Sequence, residues 1–122
     1  ASASIILVGS MYGLVGSYPD AYAGIDNASP VAYHALKGGT LQMARHLAVY
    51  WALDGVRVNC LSPGPFPAPS ASEEMVGRLT TKSPMSRMGK PQELKGAVVF
   101  LASDASSYMT GQNLAQLQHL WT

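Results

Sequence analysis

Cysteine is almost missing from this chain: Cys60 is the only one in 122 residues, so no internal disulfide can form. Its neighbours in "VRVNCLSP" are largely apolar, the setting of a buried thiol without a chemical role. Charge of either sign is scarce. Eight Lys+Arg against seven Asp+Glu give a net charge of +1 with no basic run, which argues against nucleic acid or an anionic membrane surface as partner. Long apolar runs are missing too. "IILV" and "AVVFLA" fall far short of the ~20 residues that cross a bilayer, and no charged segment precedes the first. The expectation is a soluble, cytoplasmic protein acting on a small molecule. His34, His46 and His119 lack metal-ligand spacing and have no clustered cysteines or carboxylates nearby, so no metal is expected. An initiator methionine is also lacking, and a strand-like run is under way by residue 4, which reads as a chain that begins mid-fold.

What is present is organised as one domain at most, able to bury roughly two-thirds of its unfolded surface. "SIILV", residues 4–8, is apolar throughout and suits a strand covered on both faces of a parallel sheet. Residues 16–30, "GSYPDAYAGIDNASP", have no sustained period and read as a long surface loop. Ser29 as N-cap, Pro30 at the first helical position and Gly55 as the stop predict a helix of about 24 residues over 30–53. Leu36, Met43, Leu47 and Trp51 are expected to form its apolar stripe. Gly38 and Gly39 inside it each cost of order 1 kcal/mol relative to alanine, for which close approach of another backbone is the simplest compensation. "VRVNCLSPG", residues 56–64, predicts a second strand ending in a Pro-Gly turn, Glu73 to Thr81 a short helix, and "PQELKGAVVFLAS" a further helix opened by Pro91. "NLAQL" is a weak third strand. The βαβαβ order implies a parallel sheet.

Within the long helix, "VAYHALKGG" sets Tyr33 and Lys37 four residues apart. Four residues turn a helix by about 400° and advance it roughly 6 Å, so phenol and ammonium project from one face. A tyrosine of ordinary pKa does little acid–base work at neutral pH, but a cation within roughly 4–6 Å favours its phenolate. Such a pair can pass a proton. The same spacing also occurs as core residue plus solvated rim, and alone it does not decide between the two.

The series "IILVGSMYG", "YHALK", "GVRVNCLSPG" and "GKPQELKGAVVFLASDASSYMTGQNL" resembles the C-terminal half of the short-chain dehydrogenase/reductase family, in family order and over nearly the whole chain. Within that family it is most similar to the sugar- or gluconate-dehydrogenase-type members. The resemblance implies an α/β fold in which residues 1–122 form the C-terminal part of a Rossmann-type doubly wound sheet, without the N-terminal cofactor-binding half. It implies hydride transfer between NAD or NADP and an alcohol or carbonyl carbon, in a homo-oligomer packed through the 30–53 helix. By position, Tyr33 matches the general acid/base, and Lys37 the residue that favours its phenolate and binds the nicotinamide ribose. Ser10 matches the serine that hydrogen-bonds the reacting oxygen. Pro63 and Gly64 match the turn beside the nicotinamide, with Phe66 a further contact. Developing alkoxide charge needs such preoriented donors and a matched proton carrier.

Three departures from the family pattern stand out. Ser10 lies 23 residues before Tyr33, more than in common members, and the excess is the loop "SYPDAYAGIDNA". That loop either roofs the substrate, with Tyr12, Tyr18 and Tyr22 as contacts, or is a solvated surface loop. Ala68 stands near the place of a threonine that often follows the Pro-Gly turn, removing one cofactor hydrogen bond. "NLAQLQHLWT" lacks the acidic residue and glycine pair that usually follow the last strand, so the C-terminal edge is expected to be altered. The Gly-rich phosphate-binding turn is not encoded. Gly9, Gly13 and Gly16 follow a strand, but Pro19 and a polar loop stand where its helix should run. The rival reading is therefore a catalytically silent fragment serving as an oligomeric or interaction module. A serine hydrolase is a distant third, since Ser10 is not in a G-x-S-x-G elbow.

Overall fold

Two runs of apolar and β-branched residues form the centre of the molecule, in a computed structural model that describes residues 2–25 and 27–118. β1 (Ala3–Val8) and β2 (Val56–Pro63) pair in parallel, with Ile5 opposite Val58 and Leu7 opposite Cys60. β3 (Asn113–Gln116) extends the sheet beyond β2, giving the order β1-β2-β3, all parallel. The helices are α1 (Pro19–Tyr22), α2 (Val31–Trp51), α3 (Glu73–Thr81) and α4 (Lys95–Ala102), with 3-10 turns at Met11–Gly13, Ala52–Asp54, Pro91–Leu94 and Asp104–Ser106. The result is an α/β fold, part of a Rossmann-type sheet. No described helix is long and apolar enough to cross a membrane, and no described group of His, Cys, Asp or Glu could hold a metal ion. His119 lies outside the described residues.

Alternation along β2 divides its side chains between two layers. Val58 and Cys60 turn to α2 and pack with Leu41, Ala44 and Ala48, and Ile5, Leu7 and Leu47 close around them. Cys60 is the buried free thiol its neighbours predicted. The opposite face carries a polar brace beside the buried Leu61. Asn59 Nδ2 donates to the Met109 carbonyl at 2.9 Å, and Arg57 donates to the carbonyls of Leu101, Ser103 and Met109. Ser4 Oγ reaches the Leu101 carbonyl as well, at 2.6 Å, tying α4 to β1.

The strand bounds agree with the sequence to within a residue, and α3 does so to the residue; Ser72 caps it by accepting the Met75 N–H. Gly55 ends the long helical segment in the left-handed conformation, φ 76°, as its stop signal requires. Two expectations are corrected. Ser29 is not the N-cap of α2: Pro30 occupies that place with extended backbone, and the Ser29 hydroxyl pairs with His34 Nε2 at 3.0 Å instead of capping a helix N–H. The 16–30 loop contains a helical turn, α1, opened by Pro19. The apolar stripe of the long helix faces outward at Leu36, Met43 and Trp51, which are 64, 47 and 37% exposed, while Leu47 packs inward. Small side chains at Ala44 and Ala48 let α2 lie close against Val58 and Cys60, which sends the bulky residues to the other side.

The helix glycines do meet another backbone, though the demand falls on the other partner. A Cβ on Gly13 would sit 2.7 Å from the Lys37 carbonyl oxygen, whereas one on Gly38 would meet only the Gly13 carbonyl oxygen at 3.8 Å, and one on Gly39 would meet nothing within 4 Å. Gly13→Ala is therefore expected to destabilise the fold by about 1–3 kcal/mol through overpacking. Gly39→Ala should stabilise it by about 0.5–1 kcal/mol, because alanine loses less backbone entropy in a helix. Urea unfolding of the two variants checks both signs; a neutral Gly13→Ala would contradict the close approach.

Candidate active site

In parallel sheets ligands gather at the carboxyl ends of the strands, and here the chain after β1 and the chain after β2 meet at that end. Ser10 follows β1 in extended backbone, φ −159° and ψ 155°, and its Oγ accepts the Tyr12 N–H at 3.1 Å, capping the Met11–Gly13 turn. That turn rests on α2 through Gly13. From α2, Lys37 Nζ donates to the Val8 carbonyl at 3.1 Å, fixing the helix to the last residue of β1. The same Nζ lies 5.7 Å from the centroid of the Tyr33 ring. The helical spacing of Tyr33 and Lys37 thus becomes a real juxtaposition, one turn of helix held against the end of a strand.

A cleft of about 730 Å³ opens beside them. Among its lining residues are Ser10, Tyr12 and Tyr33, Gly64 and Phe66 after β2, Tyr22 of α1, and Met75 and Leu79 of α3. Lys37 and Pro63 are not among the lining residues. Lys37 stands behind Tyr33, and Pro63 closes β2 just before the Gly64 N–H, which donates to the Gln116 carbonyl at 2.9 Å. Tyr18 also stays outside the lining, with its ring beneath Lys82 Nζ at 4.3 Å. Of the three loop and turn tyrosines singled out in the sequence, the structure brings Tyr12 and Tyr22 to the cleft.

Four contributors were not foreseen. Met75 and Leu79 lie four apart on α3 and present one apolar face, a spacing that could have identified them. Arg78 donates to the carbonyls of Asp20 and Ala23 at 2.9 and 2.6 Å, and Lys82 Nζ meets Asp20 Oδ2 at 2.8 Å. The hydrogen bond from Lys82 holds the Asp20 carboxyl below the usual carboxylate range. These contacts join residues about sixty apart in sequence, so no local signal announces them. A second cleft, of about 780 Å³, lies at the opposite end of the sheet around Arg57. The guanidinium there is committed to Ser106 Oγ and to backbone carbonyls, which makes it a brace.

The family model described as enoyl-(acyl carrier protein) reductase matches residues 7–116. The chain is 42% identical over 118 residues to the ribulose-forming D-arabinitol 2-dehydrogenase of Candida tropicalis, covering 91% of this chain and 39% of that protein. It is 36% identical over 119 residues to the NADH-dependent L-xylulose reductase of Ambrosiozyma monospora, covering 92% of this chain and 41% of the relative. Among solved structures, a short-chain dehydrogenase from Leptospira borgpetersenii serovar Hardjo-bovis, crystallised with bound NAD+, matches with a TM-score of 0.85 and 38% identity over 93% of this chain and 42% of its own. The chain spans about two-fifths of the length of the curated relatives it matches.

The aromatic wall has its own electrostatics. Tyr12 and Tyr22 share a hydrogen bond between their hydroxyls at 2.7 Å, the Tyr12 ring stacks on His34 at 4.7 Å, and it meets the Tyr33 ring edge-on at 6.3 Å. Burial, then the Tyr22 bond, pushes the Tyr12 phenol well above its ordinary value of 10.0. Above that pH the unfolded chain loses this proton while the folded chain keeps it, so the contribution is complete below pH 10 and stability falls as pH rises further. Tyr12→Phe should flatten the alkaline branch of the stability curve between pH 10 and 12. Thermal melts across that range check it, and an unchanged slope would contradict the burial of this phenol.

Proposed function

The chain belongs to the short-chain dehydrogenase/reductase family, and on that premise we propose that its cleft is the substrate side of an NAD(P)-dependent oxidoreductase acting on an alcohol or carbonyl carbon. The observation that carries this reading is the placement of Tyr33 and Ser10 on the cleft wall, with Lys37 Nζ behind Tyr33 and fixed to the Val8 carbonyl. Tyr33 exchanges the substrate hydroxyl proton. Ser10 already accepts the Tyr12 N–H with a lone pair, so its own proton is free to bond the reacting oxygen. An ammonium has three donors, and Lys37 uses one on Val8, leaving two for the ribose hydroxyls of a nicotinamide nucleotide. When bound, the nicotinamide takes up or supplies the hydride. In oxidation, Tyr33 accepts the proton from the substrate oxygen as the carbonyl forms; in reduction it returns one.

The donors fit the nicotinamide end of such a cofactor and not its diphosphate. A diphosphate needs a glycine turn opening a helix N-terminus, whereas Gly9 and Gly13 serve packing: a Cβ on Gly9 would lie 2.9 Å from both Cys60 Sγ and Ser62 Oγ. The names of the relatives in Candida tropicalis and Ambrosiozyma monospora support a sugar or polyol substrate. In the natural polypeptide that carries them, Tyr33→Phe should lower turnover by roughly 10²–10⁴, with binding of reduced cofactor, followed by fluorescence, nearly unchanged. Near-normal turnover would overturn the role of Tyr33.

One observation favours the second reading, an assembly module without activity of its own: Leu36, Met43, Val49 and Tyr50 on α2, and Val98 to Phe100 on α4, are apolar or aromatic and exposed. We propose that the outer face of α2 packs between copies of the chain. Prepared alone, the 122-residue chain should self-associate in sedimentation and bind NAD(H) or NADP(H) at millimolar strength or weaker, since each 1.4 kcal/mol of missing diphosphate contact costs tenfold. Micromolar affinity by calorimetry, or a monodisperse monomer, would contradict this.

A further inference from the structure

The hydroxyl pair of Tyr12 and Tyr22 has no part in the proton transfer above, yet it faces the same cleft. We propose that this pair is a specificity element, which selects substrates carrying a second hydroxyl beside the reacting carbon. The proposal rests on the oxidoreductase reading and deepens it.

Two phenols offer two O–H donors. The bond between Tyr12 and Tyr22 consumes one donor and one lone pair, and among the described residues neither hydroxyl has a further hydrogen-bond partner. One donor and several lone pairs therefore remain at a partly buried wall. Burial pushes the Tyr12 phenol above its ordinary value, so that hydroxyl stays a neutral group able to donate and accept. A neutral donor–acceptor pair matches a hydroxyl, which is itself both. It does not suit a carboxylate, which would bring a charge with no cation among these two groups to meet it.

Position supports the same conclusion. The Tyr12 and Tyr33 rings are 6.3 Å apart and perpendicular and line one cleft, so a polyol held at Tyr33 has the Tyr12–Tyr22 pair within its reach. Both phenols are held in place. Tyr12 is stacked on His34, whose Nε2 is paired with Ser29. Tyr22 sits on α1, which α3 grips through Arg78 on the Asp20 and Ala23 carbonyls and Lys82 on the Asp20 carboxylate. Donors fixed before the ligand arrives discriminate best, because a ligand lacking the matching group leaves a desolvated donor unpaired.

The test uses the natural polypeptide, with arabinitol against 2-pentanol as probes. The wild type should prefer the pentitol in kcat/KM, and Tyr22→Phe, which removes only the hydroxyl, should reduce the pentitol-to-pentanol ratio about tenfold, mainly through the pentitol KM. Tyr12→Phe should act in the same direction. A ratio unchanged within twofold in both variants, while turnover persists, overturns the phenol pair and leaves the oxidoreductase reading standing. Absence of turnover with every alcohol and ketone tried strikes that reading instead. Saturation-transfer NMR then decides the pair by itself: transfer from the tyrosine ring protons to arabinitol, lost in Tyr22→Phe, supports it, and no transfer in the wild type overturns it. Should Tyr22→Phe fail to fold, the wild type compared on arabinitol and its deoxy analogue serves, with equal kcat/KM values overturning the proposal.

Discussion

The approach of Gly13 to the Lys37 carbonyl is the constraint on which the rest of the site depends. With room for nothing larger than hydrogen at that point, the turn after β1 can lie directly on α2. One contact then fixes two things at once. Ser10, three residues earlier, is set at the cleft wall, and the helical turn that bears Tyr33 and Lys37 is set against it. The Lys37 amine completes the clamp by reaching past the turn to Val8, so α2, the turn and β1 form one rigid corner. Precision of this kind suits a proton-transfer site, where a displacement of an ångström is costly.

The sheet under that corner is asymmetric, and its asymmetry explains why α2 is the helix held closest to it. On the α2 face the packing is apolar and close, through Ala44 and Ala48 against Val58 and Cys60. On the other face Arg57 and Asn59 are bonded largely to backbone carbonyls around the end of α4. A polar face bonded to backbone fixes register through direction, while an apolar face fixes distance through contact. Tyr33 and Lys37 stand on the element packed against the sheet by apolar contact.

Legibility followed the range of the interactions. The strands, α3, the Gly55 stop and the Tyr33–Lys37 neighbourhood were all readable, because each depends on residues within a few positions of one another. Failures occurred where another side chain competed or a distant partner decided. Ser29 has the chemistry of an N-cap, but His34 claims its hydroxyl. The helical period of Leu36, Met43 and Trp51 marked an apolar stripe without telling which face of α2 the sheet takes, and the sheet takes the small-residue face. The Gly38-Gly39 pair pointed correctly to a close backbone approach, yet the residue that must be glycine was the partner, Gly13. The roof over the cleft was the least legible part, since Arg78 and Lys82 find Asp20 and Ala23 only after the chain has folded back.

The unusual end of the chain has a structural counterpart that bears on the same cleft. Where the family pattern places an acidic residue and glycines, Leu117 presses on Gly64 so closely that a Cβ there would lie 2.5 Å from its own. Gln118 takes up the polar work: its Oε1 accepts from Ser83 Oγ and the Met85 N–H, and its Nε2 donates to the Arg87 carbonyl at 2.6 Å. The Arg87 side chain is in turn paired with Glu93, whose carboxyl it holds at about 2, helped by the Lys90 N–H. Just after Arg87, the Gly89 N–H donates to the Pro65 carbonyl at 3.0 Å, and the bare Gly89 backbone receives the Phe66 ring. The glutamine secures the 83–89 segment, which seats Phe66, and Phe66 lines the same cleft as Ser10.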